Sequence, residues 1–389
     1  MPLTRLECAR CDRRYEPHER CQTCQCGAPL VARYDLERAA KEMRPGHLAL
    51  RPPTLWRYRE VLPVEDPDDC VSLGEGFTPL LQAPRLSAAL GLPRILLKDE
   101  AGNPAGSVDA RSCSVATSMA VSLGIRNVCI ASTGSAGLAL AAYATRAGLS
   151  GHVFFPARVD RAFADGAGAC GAHVESVDGL LPDAQRLCSG LARQNEWLDC
   201  TAFQEPFRIE GAKTLGYEIA EQMGWSLPDV VVYTTGSGLG LVGLWKALEE
   251  LEAMGFVGPR RPRLYAIQPE GCAPIVRAFA AGATEAAAWD DPRTRFPDLE
   301  VPSTAADFLV LRALHDSHGA AVAVSDDEIL RGLRDASSNE GLLLSPAGGA
   351  GVAALHRLKA SGHVSAHDTV VVVNSASGLA PVQQPMPQR

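Results

Sequence analysis

The chain has 389 residues, of which 46% are hydrophobic and 21% are charged, and its net charge is -8. This composition is ordinary for a globular protein, and the length suffices for two domains and a smaller appendage. The negative charge argues against a nucleic-acid partner or an acidic membrane surface. No apolar stretch is long enough to span a bilayer and the N-terminus lacks the apolar core of a signal peptide, so a cytoplasmic location is expected.

Residues 1–35 form a cysteine-rich head. Its cysteines fall into two closely spaced groups, Cys8 and Cys11, then Cys21, Cys24 and Cys26. Two such turns can supply four thiolates to a tetrahedral ion, which predicts a zinc ribbon with a structural Zn²⁺. Five cysteines are one more than the site needs, and a ribbon that has lost its metal is the alternative. A disulfide is less favoured because the expected compartment is reducing.

A polar, proline-containing connection over 36–70 precedes a pattern of alternating strands and helices. Strands are predicted over 95–100, 127–132, 151–156, 229–235, 263–271 (with a turn) and 369–375. Helices are predicted over 112–124 and 135–148, from about 240, and from a capping box at Ser325 and Glu328 to about 336. This alternation predicts an α/β protein with parallel sheets and helices on both faces.

Two turns built of small residues each follow a predicted strand and open a predicted helix. They are Ser132, Thr133, Gly134, Ser135, Ala136 and Gly137, and Gly236, Ser237, Gly238, Leu239 and Gly240. The first could hold a carboxylate of a small substrate. In the second, backbone N–H groups and the helix dipole favour a phosphate. Either turn alone is equally explained as a tight connection between a strand and a capped helix.

Together with NPAGSVDARS (103–112), these turns resemble the threonine synthase-like enzymes of the fold-type II pyridoxal-phosphate (PLP) family. The resemblance covers nearly the whole chain and includes PLVARYDL, SLGEGFTPL, LLKDEAGNPAGS, EGAKTLGYEIAEQMGW, GLVGLWKALEEL, QPEGCAPIVRAF and NSASGL. It implies a two-domain architecture like that of tryptophan synthase β, and a homodimer. We expect a large domain of residues 36–85 and 206–389, and a small domain of residues 86–205.

The resemblance places Asp109 where the family has the lysine that forms a Schiff base with PLP. An aspartate has no amine and cannot form this bond. Further departures are Ser135 for a ring-contacting asparagine, Leu239 for a threonine of the phosphate loop, and Ala347 for a glutamate. Ser375 remains compatible with a partner for the pyridine nitrogen. From these changes we expect no covalent PLP.

The preferred hypothesis is a PLP-independent biosynthetic lyase, cyclase or isomerase that acts on an amino-acid-like or carboxylate substrate. Asp109 would be the acid/base, with Ser107 and Arg111 beside it. Two alternatives remain: a non-catalytic relative that binds a metabolite or a partner protein, and a PLP-dependent lyase that uses another lysine, Lys98 or Lys213. Asp109 could also simply complement its helix dipole, an effect of about 0.3–1 kcal/mol.

Overall fold

The computed structural model describes residues 3–17, 19 and 22–379. The strands in this part of the chain are β1 (Leu3–Cys8), β2 (Arg14–Tyr15), β3 (Leu30–Tyr34), β4 (Leu80–Gln82), β5 (Arg94–Asp99), β6 (Asn127–Ala131), β7 (Ser150–Pro156), β8 (His173–Val177), β9 (Leu198–Asp199), β10 (Val230–Thr234), β11 (Arg263–Pro269), β12 (Ala320–Val324) and β13 (Thr369–Asn374). The α-helices are α1 (Leu36–Glu42), α2 (Pro45–Leu48), α3 (Pro84–Leu90), α4 (Asp109–Ser122), α5 (Ser135–Arg146), α6 (Arg161–Ala169), α7 (Leu181–Asn195), α8 (Phe207–Gln222), α9 (Leu239–Ala253), α10 (Pro274–Ala280), α11 (Asp307–Asp316), α12 (Asp326–Glu340) and α13 (Pro346–Ala360).

The strands form three sheets. The head carries a small antiparallel sheet in the order β2-β1-β3. The largest sheet has the order β12-β11-β10-β13-β5-β4 and is parallel except for the edge strand β4. A parallel sheet in the order β8-β7-β6-β9 completes the fold. The predicted α/β class with largely parallel sheets is confirmed.

The large sheet is covered on both faces, which explains why its strands are almost entirely apolar. Successive residues of a strand point to opposite faces. In β10, Val230 and Val232 therefore pack in the core beneath α12 and α13. Val231 and Tyr233 pack on the other face against α8 and α9.

Local sequence signals position the predicted elements well. The capping box at the start of α12 is present: the Glu328 N–H donates to Ser325 Oγ, and the Ser325 N–H donates to Glu328 Oε2. Helix α4 begins three residues earlier than predicted, so Asp109 is its first residue. None of the described helices combines the length and the apolar character needed to cross a membrane.

The predicted domain boundary at residue 86 differs from the observed pairing. Strand β5 was expected in the small domain, but it pairs with β13 in the large sheet, with Lys98 opposite Val373. The strand is apolar and buried, and such a strand does not reveal its partner. Strand β5 belongs to the large sheet because it pairs with β13, which is distant in the sequence.

Candidate active site

Asp109 lies at the start of α4, and its carboxylate is held by side chains from three parts of the chain. Oδ2 accepts hydrogen bonds from Ser107 Oγ at 3.1 Å and from Ser135 Oγ, at the start of α5, at 2.9 Å. Oδ1 accepts from Arg208 Nη2 at 3.0 Å. About a fifth of the side chain, 22%, remains exposed. The carboxylate is therefore fixed in direction but still accessible to a small molecule.

Arg208 supports this carboxylate from α8. Its Nε and Nη2 atoms donate to Ser112 Oγ at 3.2 and 3.1 Å, and Nη1 donates to the Cys200 carbonyl at 2.8 Å. Only 3% of its side chain is exposed. Because these contacts fix the guanidinium independently of Asp109, Arg208 presents an oriented charge to the carboxylate.

The turn 132–137 links β6 to α5, and its hydroxyl groups are partly engaged in the turn itself. Ser132 Oγ accepts from the N–H groups of Gly134 and Gly137, both at 3.1 Å. A Cβ on Gly137 would lie 2.6 Å from the Phe155 ring, so only glycine allows this close packing. The turn thus brings the N-terminus of α5 and Ser135 against Asp109.

The glycine-rich turn 236–240 links β10 to α9. Gly238 has φ +89°, and a Cβ there would lie 2.4 Å from Val310 Cγ2. A Cβ on Gly240 would lie 2.0 Å from Tyr233 Oη, so the tyrosine hydroxyl sits directly under the turn. The Leu239 N–H, the first of α9, donates to Ser237 Oγ at 3.4 Å. The N–H groups that follow it in the first turn have no partner within the helix and can face an anion.

These two turns and Asp109 line one cavity at the carboxyl ends of β6, β10 and β13. Ser375, which follows β13, reaches the same cavity because its carbonyl accepts from the Val108 N–H at 2.8 Å, next to Asp109. Carboxyl ends of parallel strands are the usual binding edge of such sheets. The predicted site residues that line it are Asp109, Ser132, Thr133, Gly134, Ser135, Ala136, Gly236, Ser237, Gly238, Leu239, Gly240 and Ser375.

Arg111 was predicted to act beside Asp109, but its fully buried guanidinium lies away from this cavity. It forms ion pairs with Glu100, at 2.6 Å from Nε, and with Glu218. Lys98 Nζ also contacts Glu218, at 2.9 Å. Residues two positions apart in a helix point to nearly opposite sides, so Asp109 faces the cavity while Arg111 faces the protein interior. We therefore assign Arg111 a structural role.

The buried ion pairs of Glu218 with Arg111 and Lys98 predict that the protein loses stability in acid. Burial by itself would raise the pKa of Glu218 from its ordinary value of 4.5, but Arg111 and Lys98 lower it to about 2. The resulting stabilisation is fully present above pH 4.5 and is lost as the pH falls through about 2. Urea unfolding measured across this range should show the free energy of unfolding decreasing towards pH 2. In Glu218→Gln the same decrease should be smaller, and an equal decrease in both proteins would contradict the assignment.

The lysines lie outside the cavity. All five, Lys41, Lys98, Lys213, Lys246 and Lys359, are within the described residues, and none lines it. Lys213 is fully buried and ion-paired with Glu210 at 2.7 Å and with Glu250 at 2.9 Å. Lys98 and Lys213, the two alternatives considered from the sequence, thus have structural partners.

Two charged residues of the cavity lining were missed by the sequence reasoning. Arg208 lies just before the EGAK segment, and nothing in its surroundings distinguishes it from a surface arginine. Asp298 also lines the cavity, and its backbone carbonyl accepts from Thr133 Oγ1 at 3.3 Å. Burial raises the pKa of the Asp298 carboxyl to about 6. Its loop carries no motif, so only the fold reveals it.

Comparison with known proteins now identifies the family. The profile of the pyridoxal-phosphate dependent enzymes matches residues 71–376. The chain belongs to this family. Among its members, the threonine synthase of Methanocaldococcus jannaschii is 32% identical over 373 residues, which cover 96% of this chain and 92% of the relative. The threonine synthase of Methanosarcina acetivorans is 32% identical, with 95% and 90% covered. The chain is thus a threonine synthase-like member of a lyase-type enzyme family.

Solved structures agree with this fold. A threonine deaminase from T.th. superposes with a TM-score of 0.64 at 23% identity and covers 80% of this chain and 94% of its own. Diaminopropionate ammonia lyase from Escherichia coli has a TM-score of 0.68 at 17% identity, with 88% and 90% covered. At these identities the likeness is one of fold.

Family membership contradicts one expectation from the sequence. We expected no covalent PLP, whereas the family is defined by PLP dependence and points to PLP as the cofactor of this chain. The expectation rested on a few substituted positions, while the match spans most of the fold. The cavity offers groups that fit the cofactor: the glycine turn at the start of α9 suits a phosphate, and Ser375 lies on the cavity wall.

Proposed function

We propose that this chain is a threonine synthase-like lyase that holds PLP in the cavity and acts on an amino-acid-like substrate. One observation supports this most directly: a phosphate-suited turn, a carboxylate-suited turn and an oriented carboxylate line the same cavity. The backbone N–H groups of 236–240 would hold the phosphate, and Ser375 would face the pyridine nitrogen. Bound PLP would supply an electron sink for a carbanion next to the substrate nitrogen.

The substrate would bind between the two turns. Its carboxylate would be held by the N–H groups at the start of α5, where the positive end of the helix dipole favours an anion. Ser135 would then lie between the substrate and Asp109, since its hydroxyl already donates to Asp109 Oδ2 at 2.9 Å. The small residues of 132–137 leave room for this approach.

We further propose that Asp109 stands where the relatives carry a lysine, and that it moves a proton to or from the substrate. An aspartate can accept and return a proton if it lies within reach of the reacting carbon. Arg208 is a positioning residue in this scheme: it orients Oδ1 and leaves Oδ2 towards Ser135. The predicted homodimer and cytoplasmic location stay predictions.

A PLP titration combined with a substrate panel tests the proposal. The purified chain is titrated with PLP while the absorbance of the bound cofactor is followed. Ammonia release and amino-acid consumption are then measured on small amino acids, including serine and threonine. We expect saturable binding and turnover of at least one of them. Failure to bind PLP would contradict the proposal, and binding without turnover would favour the non-catalytic alternative.

Gly238→Ala should weaken PLP binding by about 5- to 150-fold. The new Cβ would meet Val310 Cγ2 at 2.4 Å, and φ +89° strains any L-residue. Strain of this kind amounts to about 1–3 kcal/mol, which distorts the turn that receives the phosphate. Gly258→Ala is the matched control, because a Cβ there meets nothing within 4 Å. Equal PLP affinity in the two variants would show that the turn does not bind the phosphate.

A further inference from the structure

The head brings four cysteine sulfurs together. The Sγ atoms of Cys8, Cys11, Cys24 and Cys26 all lie within 4.8 Å of one another. Cys8 Sγ is 3.5 Å from Cys26 Sγ, and Cys11 Sγ is 3.6 Å from Cys24 Sγ. A disulfide requires about 2.05 Å. A tetrahedral ion with Zn–S bonds of about 2.3 Å instead places its ligands about 3.8 Å apart, close to these distances.

The surroundings of the sulfurs suit thiolates. The Cys11 N–H donates to Cys8 Sγ at 3.4 Å, and the Cys26 N–H donates to Cys24 Sγ at 3.5 Å. Tyr15 Oη donates to Cys24 Sγ at 3.2 Å. Donors of this kind orient and stabilise metal-bound sulfur. The two cysteine turns predicted from the sequence therefore place sulfurs and hydrogen-bond donors as a metal site requires.

These contacts narrow the candidate metal ligands from five cysteines to four. Cys21 lies outside the described residues, and the remaining four already provide a complete tetrahedral set. Cys8 and Cys24 are buried, whereas Cys11 and Cys26 are exposed. One side of the cluster is thus open to exchange with solvent.

The head is a small unit. Its sheet has three strands, and one of them, β2, contains only two residues. Small units of this size commonly depend on a structural ion. Soft thiolate ligands select zinc over hard cations such as Mg²⁺.

The head also contacts the helices that carry the active-site ion pair. Leu6 and Leu30 share a core cluster with Val115 and Met119 of α4 and with Phe207 of α8. Helix α4 begins with Asp109, and Arg208 follows Phe207 directly.

On the other side, the head is tied to the small sheet. Gln22 Nε2 donates to the Trp197 carbonyl at 3.1 Å, and Gln22 Oε1 accepts from the Asp199 N–H at 2.7 Å. The head thus bridges β9, the middle and C-terminal part of α4, and the first turn of α8.

We propose that Cys8, Cys11, Cys24 and Cys26 bind a structural zinc ion, and that this zinc site braces α4 and α8, the helices that carry Asp109 and Arg208. The metal takes no part in the reaction. It keeps the head folded. The folded head packs against α4 and α8, which carry the ion pair between Asp109 and Arg208.

Metal analysis of the full-length chain tests the site. Protein purified without chelators or metal-affinity resin should contain one equivalent of zinc. Cys11→Ser and Cys26→Ser should reduce it to background, whereas Cys21→Ser and Cys70→Ser should keep it. Added Co²⁺ should give the absorption of a tetrahedral thiolate site in the unaltered, metal-stripped chain. Iron instead of zinc, no metal with no Co²⁺ uptake, or loss of zinc in Cys21→Ser would overturn the assignment.

Hydrogen exchange tests the brace. Removing the metal with a chelator should speed amide exchange in the head, in α4 around Val115 and Met119, and in the first turns of α8. Exchange in α12, which lies on the opposite face of the large sheet from α8, should stay the same and serves as the internal control. Restored protection after zinc is returned would exclude irreversible unfolding. Unchanged exchange in α4 and α8 after complete metal removal would overturn the brace.

Discussion

Asp109→Asn should lower kcat by about 10²–10⁴-fold, the range that a positioned acid or base contributes. Asparagine has nearly the same shape, and its amide oxygen can still accept from Arg208 or Ser135. It cannot take up or return a proton at neutral pH. The measurement is kcat and KM on the amino acid that the substrate panel identifies, together with the melting temperature of each variant.

The control for this variant is Asp326→Asn. Asp326 is also the first residue of a helix, α12, and its carboxylate also accepts hydrogen bonds, from Thr294 Oγ1 and the Arg295 N–H. It does not line the cavity. If Asp109 merely complemented its helix dipole, both variants would show similar small losses of stability and no loss of kcat. Full turnover by Asp109→Asn would refute the catalytic role.

Arg111→Met should destabilise the fold by about 3–5 kcal/mol, the usual effect of removing one partner from a buried ion pair. The substitution leaves Glu100 and Glu218 with fewer positive partners in a site where none of their side-chain surface is exposed. Glu218 keeps Lys98 at 2.9 Å, but Glu100 loses the cation it pairs with and must be protonated or must draw in water. Chemical denaturation at neutral pH measures the change directly.

Arg59→Met is the matched control for this variant. Arg59 pairs with Glu60 at 3.5 Å, but 68% of its side chain is exposed, so the change in stability should not exceed about 0.5 kcal/mol. A stable Arg111→Met protein that had lost only its turnover would restore the catalytic role first predicted for Arg111. If Arg59→Met lost as much stability as Arg111→Met, the measurement would not distinguish a buried ion pair from an exposed one.

The elements of the fold could be predicted from the sequence because their signals are local. Apolar runs such as NVCIAS and TVVVVNS become buried strands, and Ser325 with Glu328 marks a helix start that the structure reproduces. The two small-residue turns were found for the same reason. Glycine and serine directly after a strand favour a tight turn, which in both cases leads into a helix.

Inferences from single residues agreed less well with the structure and with the family match. Asp109, together with Ser135, Leu239 and Ala347, led to the expectation that no covalent PLP is bound, which family membership contradicts. Each substituted position reports on one contact, whereas cofactor binding depends on the whole cavity. Arg111 was placed in the site because it lies close to Asp109 in sequence, although its partners Glu100 and Glu218 draw it into the interior.

The sequence by itself determined the α/β class, the order of strands and helices, the two anion-suited turns and the cysteine turns of the head, because each depends on neighbouring residues. Only the tertiary structure decided that Arg208 holds Asp109, a residue 99 positions away. It also decided that Asp298 joins the cavity and which cysteines meet. Such contacts depend on how distant elements pack together, and no local pattern encodes that packing.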